Sequence, residues 1–269
     1  MNDKPMTQME ELGRSFILQA GNLILERFGT TLSIQSKGKY DYVTNVDKES
    51  EALITESINS HFPHHHVMSE EMENPNFQPG VTWVIDPLDG TANFIHGFPM
   101  VAVSIAVYAD KEAILGFVLD PIRHELFSAV KGRGAYLNGK PMAMSDANQI
   151  PESIVATGFP FRSKHLLPHY LAAFERIFHQ VTDIRRAGSA ALDLAYLASG
   201  RIDGFWEIGL KAWDIAAGAL MIREAGGYVS DFWGKDDYIH NGHIVAGTES
   251  TYGFLLEQVR TELAPALEP

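Results

Sequence analysis

The stretch "WVIDPLDGTANF", residues 83–94, joins an apolar run to two aspartates on a turn. The apolar run predicts a buried strand that ends near Asp86, and Asp89 follows three residues later. Pro87 disfavours the helical conformation at Asp86, and Gly90 lets the backbone turn sharply. Two interpretations stay open: Asp-Pro and Asp-Gly are ordinary turn pairs, or the turn aims both carboxylates at one point.

Around this stretch, residues 1–145 predict two helices packed on a sheet. Apolar residues at three- and four-residue steps predict a helix over 5–28, ended by Gly29. A loop over 36–45 follows, and either Thr44 or Asn45 caps a second helix that ends before Pro63. Short strands near 66–71 and 82–86 precede three β-rich runs over 100–110, 113–122 and 124–140, which indicate an antiparallel meander.

Residues 146–269 alternate between strands and helices, which predicts α/β layering. The predicted strands cover 153–159, 182–186, 204–209, 228–231 and 243–247. The predicted helices cover 164–180, 189–200, 212–227 and a final segment from Glu249. We therefore expect two domains, 1–145 and 146–269, with the boundary between them near Asp146. We expect the two domains to share one interface.

The composition of the chain excludes several classes of reaction and of binding partner. The chain has no cysteine, which excludes a thiolate nucleophile and a cysteine-based zinc site. A formal net charge of −13 argues against electrostatic binding of nucleic acid or an anionic membrane over a broad surface. No secretory signal and no apolar run of membrane-spanning length is visible, so we expect a soluble, cytoplasmic protein.

Acids lie at element ends in three places. Glu70 and Glu71 follow the short strand "HVMS", Asp86 and Asp89 lie in the opening stretch, and Asp214 lies in "KAWDIAAG". Hard cations such as Mg²⁺ require carboxylate, carbonyl and water oxygens, and side chains from distant segments converge at sheet edges. The three places are therefore candidates for a magnesium site, and the residues do not decide between Glu70 and Glu71. From the residues alone, ordinary turn chemistry stays the favoured interpretation of Asp86 and Asp89.

Several further motifs, in the same order, resemble the inositol monophosphatase family of Mg²⁺-dependent, lithium-sensitive phosphatases. These are "YDYVTNVDKESE", "MSEE", "WVIDPLDGTANF", "ATGFPFR" and "RRAGSAALDLAYLASGRIDGFWEIGLKAWD", followed by "IAAGALMIREAGG". The resemblance covers nearly the whole chain and is nearest to the bacterial branch of extragenic suppressor inositol monophosphatases. It implies a five-layer αβαβα sandwich.

The resemblance also implies a metal and catalytic set. It assigns two to three Mg²⁺ ions to Glu70, Asp86, the Leu88 carbonyl, Asp89 and Asp214. Asp47 and Thr91 match the pair that orients and deprotonates the attacking water, with Glu70 as a further catalytic residue. Two structural alternatives stay open: Thr91 as a helix cap, and Asp47 as an acid favoured by the dipole of a helix first turn.

Substrate contacts follow from the same resemblance. The implied set is Glu70, Leu88, Asp89, Gly90, Thr91, Arg185, Gly188, Ser189, Ala190, Glu207 and Asp214. Arg185 matches a substrate-contacting position of the bacterial branch, but its neighbour Arg186 is an equal alternative. Lys37 resembles a mobile active-site lysine, with a solvated loop lysine as the alternative.

The implied function is hydrolysis of myo-inositol 1-phosphate or a similar small polyol phosphate, in a homodimer. Related enzymes of the superfamily act on fructose 1,6-bisphosphate, 3′-phosphoadenosine phosphates or histidinol phosphate, and these are alternative activities. The bacterial branch is also associated with RNA polymerase and antitermination. A regulatory binding protein is therefore the alternative from another functional class.

Overall fold

The computed structural model describes residues 3–30, 33–38, 41–73, 75–147 and 149–267. The helices are α1 (Asp3–Arg27), α2 (Asn45–His61), α3 (Thr91–Ile95), α4 (Leu167–Phe178), α5 (Ala190–Ala198), α6 (Ala212–Glu224), α7 (Tyr238–Asn241) and α8 (Glu249–Glu262). The strands are β1 (Ile34–Gly38), β2 (Asp41–Thr44), β3 (His66–Ser69), β4 (Val81–Asp89), β5 (Ala102–Ala109), β6 (Glu112–Asp120), β7 (Glu125–Val130), β8 (Gly134–Leu137), β9 (Lys140–Met142), β10 (Ile154–Thr157), β11 (Asp183–Arg185), β12 (Gly204–Glu207), β13 (Tyr228–Ser230) and β14 (Ile244–Gly247).

Two sheets carry the fold. The large sheet has the order β3-β4-β5-β6-β7-β8-β9, and the small sheet has the order β11-β10-β12-β14-β13. In the large sheet β3 pairs parallel to β4, and the remaining strands form the predicted antiparallel meander. In the small sheet β10 runs parallel to β11 and β12, whereas β14 runs antiparallel to both of its neighbours.

Helices lie on both sides of each sheet. α1 and α2 cover one face of the large sheet, and α5 and α6 lie between the two sheets. α4 and α8 cover the outer face of the small sheet. Three clusters of buried apolar side chains fill the four interfaces between layers: one lies on each outer side, and the third surrounds α5 and α6 and contacts both sheets. The layers therefore follow the order α-β-α-β-α, which confirms the predicted five-layer sandwich.

Helix starts resolve one alternative left by the sequence. Thr44, not Asn45, is the N-cap of α2, and its hydroxyl accepts a hydrogen bond from the Val46 amide at 3.1 Å. The Asp47 carboxylate accepts a hydrogen bond from the Thr44 amide at 2.9 Å, which completes a capping box. This cap fixes Asp47 at the buried end of α2.

Two predictions need correction. The predicted loop over 36–45 contains most of an antiparallel strand pair, β1 and β2. The short helix α7 was not predicted, and α3 was considered only as the alternative in which Thr91 is a helix cap, because four or five residues are too few to show a helical period.

The large sheet ends at Met142 and the small sheet begins at Ile154, but α6 from the second half packs against β6 and β7 of the first. The division into two domains stays a prediction. Among the described residues, the helices lack the combination of length and apolar character that crossing a bilayer needs.

Candidate metal centre

A β-bulge at the end of β4 brings Asp86 and Asp89 to the same side of the strand. Asp86 pairs with Ser104 and Asp89 with Ala102, so three steps on β4 match two steps on β5. Side chains three residues apart on a regular strand point to opposite faces, and the extra residue removes that difference. The Asp86 carboxylate also accepts a hydrogen bond from the Leu88 amide at 3.0 Å, which fixes the turn. The turn chemistry and the metal-site interpretation of this stretch are therefore compatible.

Asp214 joins these two aspartates from the other half of the chain. Asp86, Asp89 and Asp214 each offer one carboxylate oxygen, and the three oxygens lie within 4.8 Å of one another. Asp214 lies in the first turn of α6. The Ser104 hydroxyl on β5 donates to the Trp213 carbonyl at 3.2 Å and holds that turn against the large sheet. We call these three aspartates the acid triad.

Burial and mutual repulsion act on the acid triad. Burial raises the pKa of Asp86 well above its usual range, and the nearby charges of Glu70, Asp89 and Asp214 raise it further. Burial and the charge of Asp89 raise the pKa of Asp214 to about 7. Crowded carboxylates are unfavourable without a positive partner, and an all-oxygen donor set suits a hard divalent cation. The residues present therefore fit a magnesium site.

Glu70 lies beside the acid triad. The parallel pairing of β3 with β4 sets its position, and the Glu70 amide donates to the Ile85 carbonyl at 3.3 Å. Its carboxylate is the strongest charge acting on Asp86, and Glu70 lines the cavity that contains the acid triad. Glu71 is absent from the described lining of that cavity. The geometry thus separates the two glutamates that the residues alone left open.

Thr91 and Asp47 meet next to the acid triad. The Thr91 hydroxyl lies 2.9 Å from Oδ1 of Asp47 and 3.1 Å from the Leu88 carbonyl, and it is able to donate to either. Thr44 holds the other Asp47 oxygen, and burial raises the pKa of Asp47. The cap position of α3 belongs to Gly90, in the left-handed region at φ 85°, so Thr91 is not the helix cap. The structural alternative for Asp47 is compatible with its predicted role: Asp47 lies in the first turn of α2 and serves the cap of that helix, and the role in orienting water stays a prediction.

The start of α5 docks on the acid triad. The Ser189 hydroxyl donates to Asp89 Oδ2 at 2.6 Å, and the Ala191 amide donates to the same oxygen at 2.9 Å. Gly188, Ser189 and Ala190 line the cavity together with the β4 turn, and its volume is about 170 Å³. The structure therefore brings these predicted residues together.

Buried acids line the other side of this cavity. Burial raises the pKa of Glu207 and of Asp193 well above the usual range, and the charge of Arg186 opposes both shifts. Gly158 packs directly on Glu207, because a Cβ atom there would lie 1.9 Å from Glu207 Oε1. Carboxyl groups held in this way can exchange hydrogen bonds with the hydroxyls of a polyol.

Of the two arginines, Arg185 is absent from the described lining of the cavity, so the structure favours the alternative, Arg186, as the cavity residue. Arg185 is exposed and forms an ion pair with Asp183 beside it on β11. Arg186, one residue further, lines the cavity. Successive side chains at the end of a strand point in opposite directions, so only one of the two arginines can face the acid triad. The side chain of Lys37 lies outside the described residues.

Sequence reasoning missed Asn93 and Arg162, both of which line the cavity. The Asn93 side-chain amide lies 2.8 Å from the Met100 carbonyl, 3.0 Å from that of Ala187 and 3.2 Å from that of Gly188. It thereby ties the two halves of the chain together at the cavity. Both residues lie inside motifs quoted above, but nothing in their spacing marks them.

The chain is similar to known proteins over almost its whole length. The model of the inositol monophosphatase family matches residues 6–264. Nus factor SuhB of Escherichia coli K12 is 47% identical over 253 residues, which cover 93% of this chain and 95% of that protein.

Solved structures agree. The extragenic suppressor protein SuhB of Bartonella henselae is 36% identical with a TM-score of 0.91, over 95% of this chain and 100% of that chain. A Thermotoga maritima IMPase is 30% identical with a TM-score of 0.88, over 96% of this chain and 99% of that one. By sequence and by fold, this chain belongs to the inositol monophosphatase family.

Proposed function

We propose that the protein is a Mg²⁺-dependent phosphomonoesterase that hydrolyses myo-inositol 1-phosphate and related small polyol phosphates, as a cytoplasmic, lithium-sensitive homodimer. One observation carries the proposal: the Thr91 hydroxyl contacts Asp47 and lines the same cavity as the acid triad. A group able to take a proton from water thus lies beside carboxylates that can bind the cations that a phosphate requires. Membership of the inositol monophosphatase family supports this assignment.

The acid triad, Glu70 and the Leu88 carbonyl are the residues that would hold the metal. When bound, divalent cations there would neutralise phosphate charge and lower the pKa of a water molecule. The chain contributes the alignment of its oxygens. Ser189 and Ala191 both donate to Oδ2 of Asp89 and thereby fix the orientation of its carboxylate.

In this proposal, Thr91 and Asp47 accept the proton that the attacking water loses. A hydroxyl that donates to Asp47 can accept a hydrogen bond from a water. As the water oxygen forms a bond to phosphorus, its proton passes to the Thr91 oxygen and the Thr91 proton passes to Asp47. The phosphorus bond to the ester oxygen breaks at the same time, and the leaving alkoxide takes a proton from solvent. The raised pKa of Asp47 makes its carboxylate a stronger base for this step.

Phosphate release across a substrate panel tests the proposal. The panel contains myo-inositol 1-phosphate, fructose 1,6-bisphosphate, 3′-phosphoadenosine 5′-phosphate and histidinol phosphate, with Mg²⁺ omission and lithium as controls. We expect the inositol ester to be the best substrate, and Asp89→Asn to lower kcat/KM by about 100-fold or more. Glu70→Gln and Glu71→Gln form a matched pair, of which only the first should lose activity. The proposal fails if no ester releases phosphate, or if Asp89→Asn equals the wild type.

The relative named Nus factor SuhB favours a second candidate, a regulatory role in association with RNA polymerase. Such a role would use the surface of the fold rather than the acid triad. A strain that carries Asp86→Asn in place of the natural gene separates the two. If this strain loses the function that the natural gene provides, the result supports the enzymatic role. If the strain behaves normally and RNA polymerase co-purifies with the variant, the result supports the binding role.

A further inference from the structure

A second cavity, of about 260 Å³, lies between α6, the β5–β6 hairpin and α7. None of its described lining residues belongs to the cavity of the metal centre. Its size exceeds that of the metal-centre cavity, so it has room for a small organic molecule. The proposed phosphatase reaction makes no use of it.

The walls of this cavity are apolar and aromatic. Ala216, Ala219 and Leu220 present the side of α6, and the small alanine side chains leave space beside the helix. Phe77 and Tyr108 form another wall, with their ring centroids 5.0 Å apart and their planes at 58°. A flat ring can pack between an alanine face and aromatic edges.

Among the described residues, three carboxylates line the cavity, and each already has donors of its own: Glu112 pairs with Lys131, Asp236 pairs with Arg223, and Glu224 accepts from two backbone amides. The groups that remain to bind a ligand are donors. Tyr108 is 7% exposed, and its hydroxyl has no hydrogen-bond partner in the described part of the chain. Burial raises the pKa of Tyr108 and raises that of Tyr238 to about 12, so both phenols keep their protons at neutral pH. The Tyr108 hydroxyl is therefore able to donate a hydrogen bond to an acceptor on a ligand.

Lys111 adds a positive charge at the rim of this cavity. Lys131 pairs with Glu112 and Arg223 pairs with Asp236, but Lys111 has no ion pair within the described ranges. Its backbone lies in the left-handed region at φ 72°, in the tight turn between β5 and β6. A residue with a side chain is strained there, and glycine is the usual occupant of such a turn. Strain at a residue that lines a cavity is a reason to look for a function of its side chain.

We propose that this cavity binds a small molecule with one planar aromatic ring system and one anionic group. The ring packs between the alanine face of α6 and Phe77. The anionic group accepts hydrogen bonds from the Tyr108 hydroxyl and the Lys111 ammonium. The site is thus a second binding site, separate from the one that holds the phosphate ester.

Calorimetric titration with 2-naphthoate and its neutral isostere 2-naphthamide tests the proposal on the full chain without Mg²⁺. We expect 2-naphthoate to bind with a dissociation constant on the order of 1 mM or below. The amide should bind about fivefold more weakly or worse, because it lacks the charge that Lys111 recognises. Equal affinities, or no binding of 2-naphthoate, would overturn the proposal.

The variant Lys111→Gly tests the role of the Lys111 side chain in a protein that is expected to remain folded. The variant relieves the turn, so its Tm should not fall, yet it should weaken 2-naphthoate binding by about fivefold. Asp110→Gly is the matched control, since Asp110 is also left-handed, at φ 49°, and is not among the described lining residues. That control should bind the probe as the wild type does. Unchanged binding by Lys111→Gly would contradict the assignment.

Two more variants locate the probe. Tyr108→Phe keeps the ring and removes the hydroxyl, so it should weaken binding about threefold to tenfold, whereas Tyr136→Phe in β8 should leave it unchanged. Arg186→Gln should also leave 2-naphthoate binding unchanged, because Arg186 lines the metal-centre cavity and is not among the described lining residues of the second cavity. Loss of binding in Arg186→Gln would put the probe at the metal centre and overturn the proposal.

Discussion

The Thr91 hydroxyl lies 2.9 Å from Asp47 Oδ1, and this contact joins residues 44 positions apart in the chain. Thr44 holds the second oxygen of the same carboxylate through its amide at 2.9 Å. Asp47 is therefore fixed by the start of its own helix and faces Thr91 with the oxygen that remains. The α2 cap thus sets the direction in which a proton can leave Thr91.

Thr91→Val should lower kcat for phosphate release by about 100-fold, because it keeps the shape of the side chain and removes the hydroxyl that contacts Asp47. Thr91→Ser should retain most of the activity. Thr55→Val is the matched control, since the Thr55 hydroxyl is buried without a described partner. That control should keep full activity and lose no stability. Steady-state kinetics and thermal melts of the three variants check this, and an active Thr91→Val enzyme would remove Thr91 from the proposed proton path.

Arg186→Gln should raise KM for the inositol ester about tenfold and leave kcat nearly unchanged, because a cation at the cavity contributes to binding before and during the reaction. Arg185→Gln should change neither constant by more than about twofold, since Arg185 only pairs with Asp183 at the surface. The same kinetic experiment on both variants decides between the neighbours. The reverse pattern would show that the substrate approaches from the side of β11.

Mg²⁺ binding should strengthen as pH rises toward 8. Burial raises the pKa of Asp214 from 3.8 to about 7 in the metal-free protein, and a cation binds only the ionised carboxylate. Between about pH 4 and pH 7 the folded state holds a proton that the unfolded state has lost, so this group's contribution to stability is present at low pH and is lost as pH rises. Metal-free protein should therefore gain Tm on acidification from pH 8 to pH 6, while the stabilisation by Mg²⁺ should shrink.

Thermal melts of Asp214→Asn check the origin of this pH effect. The variant should lose part of the pH dependence of Tm and most of the response to Mg²⁺. Asp146→Asn, with an exposed side chain, should behave as the wild type. A wild-type response to both pH and Mg²⁺ in Asp214→Asn would mean that another group controls metal binding.

Gly158→Ala should raise KM for the inositol ester about tenfold, because the new Cβ atom would push the Glu207 carboxylate out of its place. The cost in stability should be about 1–3 kcal/mol, which thermal melts measure. Gly253→Ala serves as the control, because Gly253 lies inside α8 and has open space within 4 Å of the position that a Cβ atom would take. It should stabilise the protein by about 0.5–1 kcal/mol and leave KM unchanged. An unchanged KM in Gly158→Ala would argue against a role for Glu207 in substrate binding.

Local patterns were sufficient to predict most helices and strands, since their periods and end signals lie within each segment. The convergence of Asp86, Asp89 and Asp214 was also predicted, because acids at element ends meet at sheet edges. The strand pair β1–β2 was missed, as its polar residues show no apolar alternation that marks a half-buried strand.

The choice between Arg185 and Arg186 needed the register of β11, in which Arg185 pairs with Ala156 of β10. A shift of one residue would exchange the directions of the two side chains, and no local feature of the sequence fixes that register. The second cavity was out of reach for the same reason. Its lining comes from segments far apart in sequence, each of which has an ordinary pattern by itself.

The place of Asp214 on α6 has a consequence for the stage of synthesis at which the acid triad is completed. Chains are synthesised from the N-terminus, and α6 packs on the large sheet only after its residues have been made. Asp86 and Asp89 are made more than a hundred residues earlier, without their third partner. A nascent chain therefore lacks the complete acid triad until Asp214 has been made, and a cation that needs all three aspartates would bind only after that point.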